Sequence, residues 1–214
     1  MIESKIIKKP LTSKLNKLLF GSHFYPYHIT LWLSVSSYNL YYFVQNEAST
    51  SRDFVFGFFF SSFITGIAEY SIHRIFLHKY LYKHHKKHHT YPNRLSIIHT
   101  PMLLVVCNFI FHFFYLHFFV NVNVLLIFIP LYYLSFEMTH LISHSYKGQY
   151  NVMLNAKYYH KLHHIDETTN YGFITPYWDY FFGTLSSKYK ISFTELLFGF
   201  IPFYSFIVHK KEEF

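Results

Sequence analysis

The sequence predicts an all-α integral membrane protein with about four transmembrane helices and a cytosolic helical cap that carries a histidine-rich site for two metals. Three observations predict this fold class. Aromatic residues make up 23% of the 214 residues and charged residues only 14%, against about 25% charged in an average soluble domain. Long uncharged runs separate the basic segments of the chain. Most of the seventeen histidines are clustered near the ends of those runs.

The formal net charge of +8 and the single cysteine limit the possible partners and sites. The basic residues lie between apolar runs, so we expect contact with anionic lipid headgroups and no binding of nucleic acid. Cys107 alone cannot form an intrachain disulfide or a cysteine-based zinc site. Cys107 lies inside an apolar run and is interpreted as a small core or lipid-facing hydrophobic residue.

The chain divides into three predicted parts. Residues 1–23 form a basic segment on the membrane surface, because they carry five lysines and lack the apolar core of a cleaved signal peptide. Residues 24–190 form the membrane domain. Residues 191–214 form an interfacial apolar segment and a charged tail, since the 13 apolar residues of 196–208 are too few to cross a bilayer.

The first two predicted spans follow the basic segment. Residues 24–44 contain no Asp, Glu, Lys or Arg, and a helix of that length covers about 30 Å of hydrocarbon. Residues 54–68 are apolar for only 15 positions, which is short for a span. We therefore predict that this helix continues past Glu69, with the carboxylate facing protein.

The longest uncharged run predicts a helical hairpin. Residues 95–136 supply 42 positions, enough for two spans folded back on each other at Asn121, Val122 and Asn123. Pro130 lies in the second arm, where it is expected to kink the helix.

The basic residues predict the orientation of these spans. Eighteen of the nineteen lysines and arginines lie in the N-terminal segment, in residues 69–94 or after residue 146, and only Arg52 lies in the first link. With four spans these three regions share one face, which the positive-inside rule makes cytosolic. Both termini and every histidine cluster are then predicted on the cytosolic side.

Ten histidines stand in four groups with chelating spacings: His73-x4-His78, His85-x2-His88-His89, His140-x3-His144 and His160-x2-His163-His164. Residues three or four apart share a helix face, so most of these rings point together in pairs or threes. His73 and His78 are five apart, about 140° around an ideal helix, and need a local distortion or different metals. We interpret them as ligands of different metals. Ten imidazoles exceed the capacity of one ion, which indicates two metals with open positions.

Acidic residues lie within four positions of three of these groups: Glu69, Glu137 and Asp166. Each carboxylate could accept the free N–H of a metal-bound ring, and we predict this supporting role for all three. The alternative is that they are ordinary ion-pair partners of nearby basic residues such as Arg74. His99 follows the second group after a loop and is a possible extra ligand.

The segments EYSIHRIFLH, YKHHKKHH, EMTHLISH and YYHKLHHIDETTNYGFITPYWDYFFGT resemble the histidine boxes and closing segment of the fatty acid hydroxylase and sterol desaturase superfamily of membrane di-iron enzymes. The resemblance covers residues 60–190, and its last box is most similar to fatty acid 2-hydroxylases, which act on the acyl chains of ceramides or free fatty acids. It implies catalytic roles, through the metals, for ten ligands: His73, His78, His85, His88, His89, His140, His144, His160, His163 and His164.

The resemblance also implies cofactors, partners and a location. It implies two iron ions, with zinc possible in a purified preparation, and O2 as co-substrate in the oxidation of a lipid. The sequence contains no flavin or nicotinamide fingerprint, so a separate cytochrome b5 and its reductase are the implied electron donors. The implied location is the endoplasmic reticulum membrane.

Other functions remain open from the sequence. The six residues between His78 and His85, and the His99-Thr-Pro sequence, resemble the sterol branch of the superfamily, which includes sterol desaturases and sterol methyl oxidases. A zinc-dependent membrane hydrolase would use the same ligands to activate water. A catalytically inactive scaffold that binds metal or lipid is the third alternative.

Overall fold

A computed structural model of the chain describes residues 25–46, 50–92, 110, 121–145, 147–148 and 150–208, and the fold is given for this part. The part is helical and contains no strand, which confirms the predicted all-α class. Its elements follow in chain order: α1 (Tyr25–Gln45), α2 (Ser51–Ser71), a π-helix (Ile72–Tyr80), α3 (Tyr82–Thr90), α4 (Val122–Ser145), α5 (Asn151–Ile165), α6 (Tyr177–Phe181), α7 (Phe193–Phe198) and α8 (Tyr204–Val208).

α2 and the π-helix form one continuous rod that leads into the histidine-rich region. The rod begins with a capping box, in which the Thr50 side chain accepts from the Asp53 N–H and the Asp53 carboxylate accepts from the Thr50 N–H. It ends where the Leu81 N–H donates to the carbonyl of Phe76, five residues back, at 2.6 Å. The predicted continuation of this helix past Glu69 is confirmed. Long π-helices are rare, and π-helical turns are frequent at functional sites.

α4 forms the centre of the described fold and packs against α1, α2 and α5. It begins directly after Asn121, whose side chain accepts from the Asn123 N–H at 2.9 Å. Pro130 lies inside this helix, as predicted. Phe128, Tyr132 and Phe136 are buried at four-residue spacing in the main apolar cluster. The same stripe continues to His140 and His144, so the apolar core leads directly to the histidines.

Two helices of the described part are long and apolar enough to cross a membrane: Ser51–Tyr80, with mean hydropathy 1.4, and Val122–Ser145, with mean hydropathy 1.5. α1 forms where the first span was predicted but is not one of them, because its serines, tyrosines and Asn39 dilute the apolar residues. The span predicted before Asn121 lies outside the described residues except for Ile110. The structure therefore supports two of the four predicted spans.

The chain after α5 folds back over the ends of the long helices. Asn170 adopts a positive φ of 54°, and its buried side chain accepts from the Ser186 N–H and donates to the carbonyl of Tyr159. Trp178 packs so closely on α2 that a Cβ added to Gly66 would lie 2.5 Å from the indole nitrogen. Residues 196–208 do not form a span; they contain the end of α7 and all of α8, and Phe206 is fully buried against α5.

Candidate metal centre

Histidines from the π-helix, α3, α4 and α5 meet at the ends of the two long helices. In two groups the ligand nitrogens all lie within 4.8 Å of one another, so each group could hold a metal ion. The first histidine group is His73, His78, His85, His89 and His163, and the second histidine group is His88, His144, His160 and His164. His140 lies beside the second group, with its Nε2 2.9 Å from the Nε2 of His88.

The π-helix brings His73 and His78 into the same group. Their Nε2 atoms are 3.2 Å apart, and the Nε2 atoms of His78 and His163 are 3.0 Å apart. The interpretation that His73 and His78 serve different metals is therefore contradicted by their positions. A π-helical turn holds more residues than an α-helical turn, so side chains five apart lie nearly above each other. The structure instead adopts the other alternative, a local distortion of the helix between His73 and His78.

The second histidine group follows regular helix geometry. The Nε2 atoms of His160 and His164, one α-helical turn apart, are 3.0 Å from each other. His160 and His144 are 2.9 Å apart at Nε2, and His164 and His88 are 3.1 Å apart. α5 thus contributes two histidines four residues apart, α4 supplies His144 with His140 beside the group, and α3 supplies His88.

α3 links the two groups because its three described histidines point in two directions. His85 and His89 share a face and join the first group, with Nε2 atoms 3.0 Å apart. His88 points to the second group. The groups are neighbours, since the ring centroids of His89 and His164 are 4.4 Å apart.

Two rings of the first group have their proton positions fixed by backbone carbonyls. The Nδ1 of His73 contacts the carbonyl of Tyr171, and the Nδ1 of His163 contacts the carbonyl of Thr169 at 2.7 Å. A carbonyl can only accept, so Nδ1 carries the proton and Nε2 presents its lone pair. Lone pairs that point at one position from nitrogens about 3 Å apart repel each other unless a cation lies between them. The donor set therefore fits a metal.

The spacing between nitrogens also bears on the coordination geometry. At a metal–nitrogen distance of about 2.1 Å, ligands at right angles are about 3.0 Å apart and tetrahedral ligands about 3.4 Å apart. Neighbouring Nε2 atoms in the two groups are 2.9 to 3.2 Å apart. The nearest pairs thus have the short separations of ligands on one ion, and the other nitrogens of each group lie within 4.8 Å of one another.

Burial keeps the imidazoles outside the membrane-spanning segments neutral. It lowers the pKa of His163 and His160 far below the usual value, and the neighbouring imidazoles lower it further. The pKa of His89 falls to about 3 and that of His164 to about 4, mainly through desolvation. Neutral imidazole is the form that binds metals, so the site is ready for a cation at neutral pH.

The three acids predicted to support the ligands have other observed partners. Glu69 accepts from the backbone N–H of Phe173, and Asp166 is exposed and accepts from the N–H of Thr168 at 3.0 Å. Glu137 is buried and accepts from the Tyr133 hydroxyl at 3.2 Å. Glu69 and Asp166 thus hold backbone near the site. His99, the possible extra ligand, lies outside the described residues.

Groups that the sequence did not single out take the supporting role. The carbonyls of Thr169 and Tyr171 hold two rings, and the Glu167 carboxylate lies 3.7 Å from the Nδ1 of His89. No residue-type pattern marks a backbone carbonyl as a hydrogen-bond partner. Glu167 directly follows Asp166 and lies three residues after His164. This closeness to the ligands was the only sequence signal for its role.

Asp179 holds the loop that carries these carbonyls. Its fully buried carboxylate accepts from the N–H groups of Tyr171 and Gly172 at 2.8 and 2.7 Å, and from the hydroxyls of Tyr159 and Thr184, both at 2.7 Å. Burial raises the pKa of Asp179 to about 6, although these four bonds favour the charged form. Because Tyr171 also holds His73, Asp179 positions the first histidine group through the backbone.

The fold and the site define a helical protein with two apolar helices of membrane-spanning length and a metal centre built from imidazole. The family model described as fatty acid hydroxylase matches residues 54–184, more than half of the chain. The chain belongs to the fatty acid hydroxylase family, which confirms the superfamily resemblance and indicates an oxidoreductase that acts on a lipid. Searches of curated proteins and of solved structures give no match to the chain.

Proposed function

We propose that this protein hydroxylates a lipid acyl chain, of a fatty acid or a ceramide, in an oxygen-dependent reaction at two iron ions held by the ten histidines. The reaction converts R–H, O2, two electrons and two protons into R–OH and water. The observation that carries the proposal is the pair of adjacent all-imidazole groups, whose Nε2 atoms converge at 2.9 to 3.2 Å.

The donor set supports a redox metal at both groups. Bound iron supplies the oxidising power needed to cleave an unactivated C–H bond, which zinc alone lacks. The first histidine group offers five nitrogens, and the second offers four with His140 beside it. Ten imidazoles shared by two ions would leave coordination positions open for exchange.

The surroundings of the histidines separate an apolar side from a polar side. Phe136 and Phe173 cover the apolar side, where the buried core along α4 reaches the site and excludes water. His78 and His144 are half-buried and lie on the more open side. We assign the lipid to the apolar side, because an acyl chain enters hydrocarbon-like surroundings at no desolvation cost.

The polar side supports an external electron donor. Lys83, Lys86 and Lys87 are exposed on α3, directly beside the histidines of that helix. A positive surface next to a redox site favours docking of an acidic partner through electrostatic steering. We propose a separate cytochrome b5 with its reductase as that partner. Stopped-flow reduction of the iron by cytochrome b5 should slow when the three lysines are replaced by glutamine.

The proposed location is the endoplasmic reticulum membrane, with the metal centre and both termini in the cytosol. The proposed parts are the surface segment 1–23, the membrane domain 24–190 and the interfacial segment 191–214. The candidate spans Ser51–Tyr80 and Val122–Ser145 support membrane association. Tags at each terminus should be accessible to protease in intact microsomes, and protection of either tag would overturn this orientation.

The central experiment measures metal and turnover on the same purified preparation. We expect about two irons per chain by elemental analysis, oxygen consumption with an electron donor, and a hydroxylated acyl chain by lipid mass spectrometry. Replacing His163 and His164 together by alanine should abolish the product, while Lys161→Ala, an exposed position on the same helix, should leave it unchanged.

Two outcomes would overturn the proposal. Full activity with zinc alone under nitrogen would indicate a hydrolase, since that reaction needs no oxidant. An unchanged lipid profile after the double histidine substitution would mean that the site is not catalytic. A sterol product would keep the oxidative chemistry and reassign the substrate to the sterol branch.

A further inference from the structure

We propose that Phe173 is a specificity-determining residue: its ring closes the apolar side of both histidine groups and sets how closely, and with what bulk, a lipid carbon approaches them. This inference rests on the proposed lipid oxidation. It assigns the substrate side of the site to one side chain, which lies in the closing segment of the family match.

Phe173 is in contact with both halves of the metal centre. Its ring stacks on His73 of the first histidine group, with centroids 4.6 Å apart. The same ring lies 4.4 Å from the ring of His140 and 4.8 Å from that of His160 of the second group. A side chain in this position borders any space that opens between the two groups and the apolar core.

The Phe173 ring lies on the buried, apolar side of the histidines. Phe173 is 2% exposed and belongs to the apolar cluster that runs along α4, where it packs on Phe136 at 4.9 Å between centroids. The His73 and His140 rings beside it are also buried. A lipid chain that reaches the histidines through this apolar core would therefore contact the Phe173 ring beside them.

Backbone contacts hold this ring in place from two sides. The N–H of Phe173 donates to the Glu69 carboxylate on α2, and the carbonyl of the next residue, Ile174, accepts from the Phe203 N–H at 2.9 Å. The side chain therefore has a defined position that does not depend on a flexible loop. A fixed aromatic wall selects substrates by shape, because one methylene in an apolar pocket changes discrimination by about 10- to 200-fold.

The test is competition between two lipids of different bulk on the purified enzyme. A straight-chain fatty acid and a methyl-branched fatty acid of the same length are supplied together, and both hydroxylated products are quantified by mass spectrometry. We expect Phe173→Ala, and to a smaller extent Phe173→Leu, to raise the branched-to-straight product ratio about tenfold or more. Iron content should stay at the wild-type value, because Phe173 donates no ligand.

Phe128→Ala is the matched control. Phe128 belongs to the same apolar cluster and its ring contacts Phe54 and Phe58, so its removal costs comparable core packing. This variant should leave the product ratio unchanged. If Phe173→Ala does not fold, Phe173→Leu decides the question, since leucine retains most of the buried volume.

The outcomes separate this inference from the proposed function. If wild-type protein oxidises neither lipid, the proposed function itself fails. If wild-type protein is active and both Phe173 variants keep its product ratio, Phe173 does not determine specificity although the function stands. Loss of iron in Phe173→Leu would also overturn the inference, because the ring would then serve only to hold the metal site together.

Discussion

The two histidine groups reach similar geometry by different routes. The second group uses regular α-helices, in which His160 and His164 are four residues apart and their Nε2 atoms are separated by 3.0 Å. The first group depends on a π-helix that brings His73 and His78 together and on a loop that holds two of its rings. A chelating site can thus be built by helix periodicity alone or by a backbone distortion with a supporting loop.

The groups also differ in what holds their rings. In the first group, backbone carbonyls hold the Nδ1 atoms of His73 and His163. Within the described residues, the buried Nδ1 atoms of His88, His140 and His160 have no hydrogen-bond partner, and neither does that of His89 in the first group. A buried polar group left unpaired costs about 1–3 kcal/mol. Backbone carbonyls thus orient two of the five rings of the first group before a metal binds, whereas among the described residues no such contact orients His88 or His160 of the second group.

Removing one central ligand from each group should have the strongest effect on iron content and turnover. His163→Ala should empty the first group and His160→Ala the second, so iron should fall from about two to about one per chain in each variant. Turnover should drop about 100-fold or more in both, because even indirect contacts to ligands contribute 10- to 100-fold. Elemental analysis and lipid mass spectrometry check these outcomes. Complete metal loss in both variants would mean that the groups do not fill independently.

A double variant tests the π-helix by moving one ligand by one position along it. On an α-helix, residue 77 would share a face with His73, whereas the π-helix gives that place to His78. The double variant Leu77→His with His78→Ala should therefore lose first-group iron as fully as His78→Ala alone. Recovery of the second iron in the double variant would show that this segment is α-helical in solution.

The same segment shows why only part of the site was predictable from the sequence. Spacings of three and four residues fit the α-helix, so the pairs His140 with His144 and His160 with His164 were identified directly. A π-helical turn has no residue-type signature, and His73 and His78 were therefore assigned to different metals. Backbone carbonyls have no signature either, which is why the partners of His73 and His163 were not foreseen.

The fold was predictable to a similar degree. Uncharged runs gave the two long helices that carry the site, including the continuation past Glu69. Glu69 itself was expected to support a histidine, but its carboxylate accepts from the N–H of Phe173. Hydropathy shows that Glu69 follows an apolar run but does not identify its hydrogen-bond partner. That partner, Phe173, lies about a hundred residues later in the chain.

A smaller effect is expected where the loop that supports the first histidine group is anchored. Asp179→Asn replaces one acceptor oxygen with a donor that faces other donors, and it should destabilise the fold by about 1–3 kcal/mol for each unpaired group. Iron affinity of the first group should fall about 10- to 100-fold, while the second group keeps its iron. Titration with a competing chelator measures both.

Asp166→Asn is the control for this prediction. Asp166 is exposed, and the asparagine oxygen can still accept from the N–H and the hydroxyl of Thr168, so the backbone contact is kept and neither the iron affinity nor the unfolding midpoint should change measurably. Equal loss of iron from both groups in Asp179→Asn would show that the loop supports the whole centre, and the contrast between the groups would then disappear.

The smallest expected effect concerns the carboxylate on the open side of the first histidine group. Glu167 lies 3.7 Å from the Nδ1 of His89 and is 35% exposed, so solvent screens the pair and its contribution is less than about 1 kcal/mol. Glu167→Gln should lower iron affinity of the first group by no more than about fivefold and leave the second group unchanged. Glu167→Lys places a like charge beside the cation site and should lower the iron affinity further. The loss of affinity in both variants should become smaller at high salt. A loss above about 100-fold in Glu167→Gln would place this carboxylate among the groups that orient His89, as the carbonyls of Thr169 and Tyr171 do for their rings.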